Sequence, residues 1–100
     1  MSVRSNAGSG DEMVISIKGR FDFTQVKEFR DAYSEESDSR FKSYVVDLRD
    51  TEHMDSSALG MLLNMRKHLG ESVPIRIANS RPQIKKILTI SRFDKKFNID

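Results

Sequence analysis

The sequence contains no cysteine and no tryptophan, and it has only two prolines and two histidines. Without cysteine there is no disulfide, no thiolate nucleophile and no cysteine-ligated zinc site. No apolar run approaches the roughly 20 residues that cross a bilayer, and no signal-peptide segment follows Met1. We therefore expect a cytoplasmic protein that has no membrane contact, no metal and no cofactor.

Length and composition predict one small globular domain. Of the 100 residues, 37% are hydrophobic and 32% are charged, a balance typical of a folded soluble chain. A chain of this length buries a little over about 60% of the surface that it exposes when unfolded. That burial suffices for one modest core but not for a large internal active-site cavity, so the composition favours a binding domain over an enzyme.

The formal net charge of +2 conceals an uneven distribution of charge. Acids outnumber bases by five over residues 11–55, and bases outnumber acids by five over residues 76–100. A basic segment is one feature of nucleic-acid-binding proteins. Here the basic residues are mixed with core-type residues and lack interleaved aromatic side chains. We interpret them as a solvated helix face and an exposed chain end, and we expect no direct nucleic-acid partner.

Residues 1–12 are predicted to form an N-terminal tail or a short first strand with a turn. The sequence Asn-Ala-Gly-Ser-Gly at 6–10 has the composition of a turn, and we favour a hairpin here. Apolar residues then alternate over residues 13–17, which predicts a strand that Gly19 ends. We accordingly place the domain proper at residues 13–100.

Asp22 and Thr24 are both residues that cap helices, so a helix is predicted after them. Its apolar stripe consists of Val26, Phe29 and Tyr33. Residues 34–42 are polar, which predicts the end of this helix and a loop. The β-branched run at 44–48 shows no clean alternation, which favours a central strand covered on both faces.

The clearest helix follows a predicted loop at residues 49–54. Asp-Ser-Ser at 55–57 marks its start, and Gly70 is placed to end it. One side of this helix is apolar and consists of Ala58, Leu62, Met65 and Leu69, flanked by Leu59, Met61 and Arg66. The opposite side consists of Gly60, Asn64, Lys67 and His68.

A strand, a helix and a last strand complete the predicted fold. Residues 73–78 predict a strand, with Pro74 near its start. Ser-Arg-Pro-Gln at 80–83 predicts a capping box with proline in the first helical turn. The buried stripe of this helix is Ile84, Ile87 and Leu88, and the closing strand contains Phe93, Phe97 and Ile99. The alternation of strands and helices predicts an α/β fold, with helices packed on a mixed sheet of four to five strands.

Chemistry is expected where a strand's carboxyl end leads into a helix N-terminus, here at residues 49–57. The simplest interpretation is that Asp55 or Ser56 only caps the helix. An enzyme would use Ser56 as nucleophile and His53 as base, but the chain lacks the G-x-S-x-G elbow. Asp47, Asp50 and Asp55 are possible Mg²⁺ ligands, yet no glycine-rich phosphate cradle accompanies them. We expect no catalytic residues and two exposed histidines.

Three segments together resemble the STAS domain: Gly-Arg-Phe-Asp at 19–22, Val-Val-Asp-Leu at 45–48 and Met-Asp-Ser-Ser-Ala-Leu-Gly at 54–60. Their order and spacing over residues 13–99 are similar to those of single-domain anti-sigma factor antagonists of bacterial partner-switching systems. The Asp-Ser-Ser helix start is the most specific of the three. The resemblance implies a STAS fold and a signal-transduction role in transcription regulation.

The resemblance also implies a mechanism without catalysis by this chain. In that family the unphosphorylated domain binds an anti-sigma factor that is also a serine kinase, which frees the sigma factor. The kinase phosphorylates the first serine after the aspartate, here Ser56, and the complex separates. A metal-dependent serine phosphatase then restores the serine. By position the partner-binding residues are Asp22, Asp55, Ser56, Ser57 and Gly60, and we expect a monomer or weak dimer.

Two features depart from the family pattern. The family usually has glycine where this chain has Ala58, and we expect the added methyl group to narrow the approach of a partner backbone. Many relatives add a helix after the last strand, whereas this chain stops at Asp100. We expect the sheet edge or helix face there to be more open.

Three other functions stay open at this point. A constitutive STAS subunit of a larger assembly, for example a lipid-transport complex, would show no phosphate turnover on Ser56. A nucleic-acid binder would have salt-dependent affinity that is lost when Lys85 and Lys86 are neutralised. An enzyme would show turnover that disappears in Ser56→Ala and His53→Ala.

Overall fold

The computed structural model describes residues 3–8, 10–34 and 41–100. Seven strands and three helices follow one another in these residues. They are β1 (Val3–Ala7), β2 (Glu12–Ile17), β3 (Gly19–Phe21), α1 (Val26–Ser34), β4 (Ser43–Asp47), β5 (Thr51–Met54), α2 (Ser56–Leu69), β6 (Ile75–Ala78), α3 (Pro82–Ile90) and β7 (Asn98–Ile99). Short 3-10 turns at Phe23–Gln25 and Phe93–Lys95 precede α1 and β7. Most of the loop predicted at 34–42 lies outside the described residues.

Five strands form the main sheet in the order β1-β2-β4-β6-β7. β1 runs antiparallel to β2, and the other neighbouring strands are parallel. The predicted mixed α/β sheet is therefore confirmed, with β4 at its centre. The strand favoured near the N-terminus is present as β1, paired along its whole length with β2.

The helices pack against one face of the main sheet. Alternate residues of β2 (Met13, Ile15 and Ile17) share a single core cluster with buried residues of α1, α2 and α3. Val45 of β4 points to the other face, because successive strand residues alternate in direction. It is nonetheless 4% exposed, between its register partners Val14 and Arg76. Both faces of this strand are therefore buried at its centre, as predicted, although the described helices pack against only one of them.

A second, two-stranded sheet pairs β3 with β5 in parallel. The loop predicted at residues 49–54 is therefore wrong, whereas β2 ends before Gly19 as predicted, and Gly19 also begins β3. Strands this short contain too few residues to show an alternation. Gly19 adopts a φ of +79°, which glycine allows, and its N–H donates to the carbonyl oxygen of Asp50 at 2.9 Å. The buried Thr51 hydroxyl donates to the carbonyl oxygen of Ile17 at 2.7 Å, which ties the small sheet to β2.

Helix α2 agrees with the prediction, whereas α1 and α3 each differ in one detail. On the predicted apolar side of α2, Ala58, Leu62 and Met65 are buried and Leu69 is half-buried, while the opposite side is exposed. In α1, Phe29 packs between the rings of Phe21 and Tyr33, at centroid distances of 5.2 and 5.5 Å. Val26, the first residue of α1, lies beyond this core and is 46% exposed rather than buried.

The capping box predicted at residues 80–83 is wrong. Proline restricts the residue before it to extended conformations, and Arg81 has φ −65° and ψ 154°. Arg81 is therefore the N-cap and α3 begins at Pro82, one position later than the box requires. The Ser80 hydroxyl does not cap the helix; it is buried and has no hydrogen-bond partner among the described residues.

Candidate functional site

The small sheet brings together two aspartates that are far apart in sequence. Phe21 of β3 lies opposite Met54 of β5 in the parallel register. Asp22 and Asp55 directly follow these paired residues, and each is the N-cap of a helical segment. The negative charge of Asp22 acts on Asp55 and raises its pKa, against the stronger influences that lower it. Asp22 and Asp55 therefore belong to one site at the N-terminus of α2.

Asp55 distinguishes the two serines that follow it. Its Oδ1 atom accepts hydrogen bonds from the backbone N–H of Ser57 at 3.0 Å, from that of Ala58 at 3.3 Å and from the Ser57 hydroxyl at 2.5 Å. The hydroxyl contributes most to holding the pKa of Asp55 below its usual value. Ser56 is exposed, and its hydroxyl makes no hydrogen bond within the described parts of the chain. Ser57 thus supports the cap, and Ser56 presents a free hydroxyl.

Asp22 repeats this arrangement at the start of the 3-10 turn. Its Oδ1 atom accepts from the Thr24 N–H at 3.0 Å and from the Thr24 hydroxyl at 2.5 Å, and the hydroxyl bond is the main cause of its lowered pKa. The Asp22 N–H donates to Oε1 of Gln25 at 2.8 Å, which completes a capping box. Arg20 approaches Oδ2 at 3.5 Å. Asp22 is only 9% exposed, so its carboxylate is held firmly.

The sequence predicts Asp22 as a site residue and Asp22 or Thr24 as the helix cap, but Phe23 and Gln25 were not predicted to belong to the site. The spacing of Asp-x-x-Gln at 22–25 is a capping-box signal. The similarity between Asp-Phe-Thr at 22–24 and Asp-Ser-Ser at 55–57 also indicates that the two segments have the same local structure. In both triplets the third residue bonds the aspartate and the middle residue faces solvent: Phe23 is 69% exposed, and Ser56 is exposed.

Gly60 and Ala58 lie on different sides of α2. Gly60 is four residues after Ser56 and shares its exposed face. A Cβ atom at Gly60 would meet nothing within 4 Å, so packing does not require glycine there. Ala58 is 0% exposed and belongs to the core cluster. The expectation that its methyl group narrows a partner's approach is therefore wrong, because this methyl group faces the interior.

The described residues do not show the geometry that serine catalysis or metal binding would require at residues 47–57. His53 is exposed, and no hydrogen bond joins it to Ser56 in that part of the chain. Residues 3–8, 10–34 and 41–100 contain no group of three or more histidine, aspartate or glutamate side chains placed to hold a metal ion. Within the same residues, no helix is both long and apolar enough to traverse a bilayer.

The surface of the described residues also has hollows away from the two capping aspartates. One, of about 460 Å³, lies where β2 and β4 end and includes Arg4, Lys18, Asp47 and Arg49 in its lining. The other, of about 210 Å³, is a groove between α1 and α2 that is lined in part by Val26, Phe29, Met61 and His68. The groove begins with Val26, one helical turn beyond Phe23.

Fold, caps and sequence together define the class of protein. The sequence model of the STAS domain matches residues 3–100, and the chain belongs to this family. It is 48% identical over 94 residues to a STAS-domain containing protein of Pseudomonas aeruginosa (strain UCBPP-PA14), covering 93% of this chain and 92% of that relative.

Solved structures share the fold at low sequence identity. The unphosphorylated form of the anti-sigma factor antagonist SpoIIAA aligns with a TM-score of 0.77 at 18% identity, over 98% of this chain and 86% of that one. An anti-sigma factor antagonist from Mycobacterium paratuberculosis aligns with a TM-score of 0.80 at 18% identity, over 97% and 82%. The phosphorylated form of SpoIIAA from Bacillus aligns with a TM-score of 0.76, also at 18% identity, over 98% and 90%.

Proposed function

We propose that this protein is an anti-sigma factor antagonist that acts by partner switching. Unphosphorylated, it binds an anti-sigma factor that is also a serine kinase and so frees the sigma factor; phosphorylation of Ser56 releases it. The observation that carries the proposal is the exposed, unbonded Ser56 hydroxyl at the N-terminus of α2, in a STAS domain. The proposed partner surface is formed by Asp22, Asp55, Ser56, Ser57 and Gly60.

The surroundings of Ser56 explain how a phosphate can act as a switch without unfolding the domain. A phosphate adds about −1.5 to −2 charges, and the N-terminus of α2 is the positive end of a helix dipole. The N–H groups of Ser57 and Ala58 already donate to Asp55. The helix dipole would therefore stabilise the phosphate, but hydrogen bonds from these two N–H groups would not. The phosphate also joins the charges of Asp22 and Asp55, which makes burial against a partner unfavourable.

Other parts of the proposal follow from the same role. The chain itself has no catalytic activity, because the kinase and a metal-dependent serine phosphatase supply the chemistry. It works in the cytoplasm as a monomer or weak dimer, without direct contact with nucleic acid or membrane. No cofactor is needed for a switch that consists of one phosphate on one serine.

The first test is an intact-mass measurement on the protein isolated from its own cells, with peptide mapping and identification of copurified partners. We expect a growth-dependent fraction heavier by about 80 Da, the mass of one phosphoryl group, with the modification on Ser56. A serine kinase should accompany only the unmodified form. A single unmodified species in a stable complex under every condition would instead favour a constitutive STAS subunit.

A further inference from the structure

Phe23 is a large aromatic side chain exposed among buried neighbours. It is 69% exposed, whereas Phe21 is 0% exposed and Gln25 is 7% exposed. Phe21 and Gln25, each two positions away, therefore belong to the folded interior, whereas Phe23 and the adjacent Thr24 are exposed. An isolated exposed apolar residue needs no explanation, but Phe23 has surroundings that such a residue lacks.

The backbone that carries Phe23 is held on both sides. The Asp22 carboxylate accepts two hydrogen bonds from Thr24, and the Gln25 side chain accepts one from the N–H of Asp22. This capping box encloses Phe23. The ring is thus presented from a fixed base, and a partner that binds it has little backbone ordering to supply.

The position of Phe23 relative to Asp22 matches that of Ser56 relative to Asp55. Because Phe21 and Met54 are in register, the two triplets leave the small sheet side by side. Val26, 46% exposed, follows one helical turn after Phe23 and opens the groove between α1 and α2. Phe23 and Val26 together form an exposed apolar strip, which we name the Phe23 strip.

We propose that the Phe23 strip is the apolar anchor by which the partner kinase recognises this chain, an inference that rests on the proposed function. The occupant we assign is an apolar pocket on that kinase with basic groups at its rim. Aromatic side chains dominate the binding energy of protein interfaces when a less apolar rim surrounds them. Here the rim on this chain carries the carboxylates of Asp22 and Asp55, whose pKa values are both lowered. Arg20 pairs with Asp22 at 3.5 Å, so Asp55 is the carboxylate that stays available to a basic group.

The position of Ser56 next to the Phe23 strip explains how a phosphate on Ser56 would release the partner. A dianion on Ser56 would have to be desolvated beside an apolar contact, and like charges on Asp22 and Asp55 would add to that penalty. The anchor and the switch therefore act at one place, and the anchor selects the partner that the switch then releases.

The test uses the serine kinase that copurifies with the wild-type chain, purified and titrated against Phe23→Ala. Ile90→Ala is the matched control, because Ile90 is 70% exposed on α3, outside the site. We expect Phe23→Ala to weaken binding by about tenfold or more, Phe23→Leu to weaken it less, and Ile90→Ala to bind as wild type. All three variants should unfold at the wild-type temperature.

Each other outcome has a definite meaning. Wild-type affinity for Phe23→Ala, or an equal loss for Ile90→Ala, overturns the anchor; if Ser56→Glu still releases the kinase, the proposed function survives. A wild-type chain that binds no serine kinase overturns both. A change of oligomeric state in Phe23→Ala, measured by sedimentation, assigns the strip to a second copy of this chain and also overturns the inference.

Discussion

Ser56 and Ser57 are neighbours with different hydrogen bonding, and Asp55 causes the difference. The hydroxyl of Ser57 donates to the Asp55 carboxylate at 2.5 Å, while the hydroxyl of Ser56 faces solvent. Under the proposed function, a kinase would reach Ser56 without breaking the cap of α2. Modification of Ser57 would remove a bond that supports the fold.

The first prediction at the residue scale concerns a negative charge at position 56. We expect Ser56→Glu to lower the affinity for the partner kinase by about tenfold, because like charges at an interface are strongly unfavourable. Ser72→Glu, on the exposed loop after α2, is the control and should bind normally. Calorimetry should give wild-type unfolding temperatures for both variants. A Ser56→Glu chain that is unfolded would contradict a switch located at the contact surface.

A second prediction follows from the lowered pKa of Asp55. A carboxyl group with a lower pKa in the folded state stabilises the fold above its unfolded pKa, and this contribution is lost as pH falls through the folded value. Asparagine can also cap a helix but does not titrate. Asp55→Asn should therefore be less stable than wild type at pH 7, and the difference should shrink as the pH falls below about 4.

Urea unfolding midpoints between neutral and acid pH measure this effect. Glu71→Gln changes an exposed acid in the loop after α2 and serves as the control. It should keep the acid sensitivity of the wild-type protein. A difference between Asp55→Asn and wild type that is constant across this pH range would show that the charge of Asp55 has no part in the cap.

At the scale of elements, helix α2 has a well-capped N-terminus at Asp55 but contains Gly60, a residue that is unfavourable inside a helix. Glycine inside a helix costs stability relative to alanine, yet Gly60 is exposed and a Cβ atom would fit there without contact. Nothing in the packing explains the glycine. Its position on the face of Ser56 suits a surface that a partner backbone approaches closely.

We accordingly predict opposite effects of Gly60→Ala on stability and binding. The variant should gain about 0.5–1 kcal/mol in the free energy of unfolding, because alanine is the better helix former. Its affinity for the partner kinase should fall. Lys67→Ala, on the exposed side further along α2, should bind as wild type. Unchanged binding of Gly60→Ala would remove Gly60 from the partner surface.

The helices and strands also show where local sequence signals were sufficient to predict the limits of an element. Helix α2 begins after Asp55 and ends before Gly70, as predicted. Local sequence was sufficient here because an N-cap residue and a C-terminal glycine, which has a φ of +93°, act within one turn of the helix. In α3 the same type of signal misled, since Pro82 moved the start by one residue. The strands β3 and β5 left no readable pattern, because each gains its stability from the other and from β2.

At the scale of the whole molecule, Arg66 joins three segments of the chain. It is 6% exposed, and its guanidinium donates to the carbonyl oxygens of Gly70, Val73 and Lys96 at distances from 2.5 to 3.0 Å. It also lies 5.3 Å from the centroid of the Phe97 ring. One buried cation thus links the end of α2 to the segments before β6 and β7.

The corresponding prediction is a loss of global stability. Arg66→Met keeps much of the apolar volume but removes the donors of all three carbonyl groups, which should cost about 1–3 kcal/mol in the free energy of unfolding. Arg66→Lys should recover only part of this, because lysine lacks the planar fork of donors. Lys67→Met, on an exposed neighbour, should leave the urea midpoint unchanged. Equal midpoints for Arg66→Met and wild type would contradict this role.

The sequence by itself determined the features that depend on neighbours within about one helical turn. These are the limits of α2, the buried stripe from Ala58 to Met65, and the Asp-Ser-Ser start that resembles the STAS family. Capping and periodicity act over three or four residues, so local sequence is enough to predict them.

Only the tertiary structure decided how the site is assembled. The register of β3 and β5 sets Asp22 beside Asp55, and this also sets Phe23 beside Ser56. These outcomes depend on pairing between short strands some thirty residues apart. Such pairing is stable only when the main sheet supports it, and no local pattern records it.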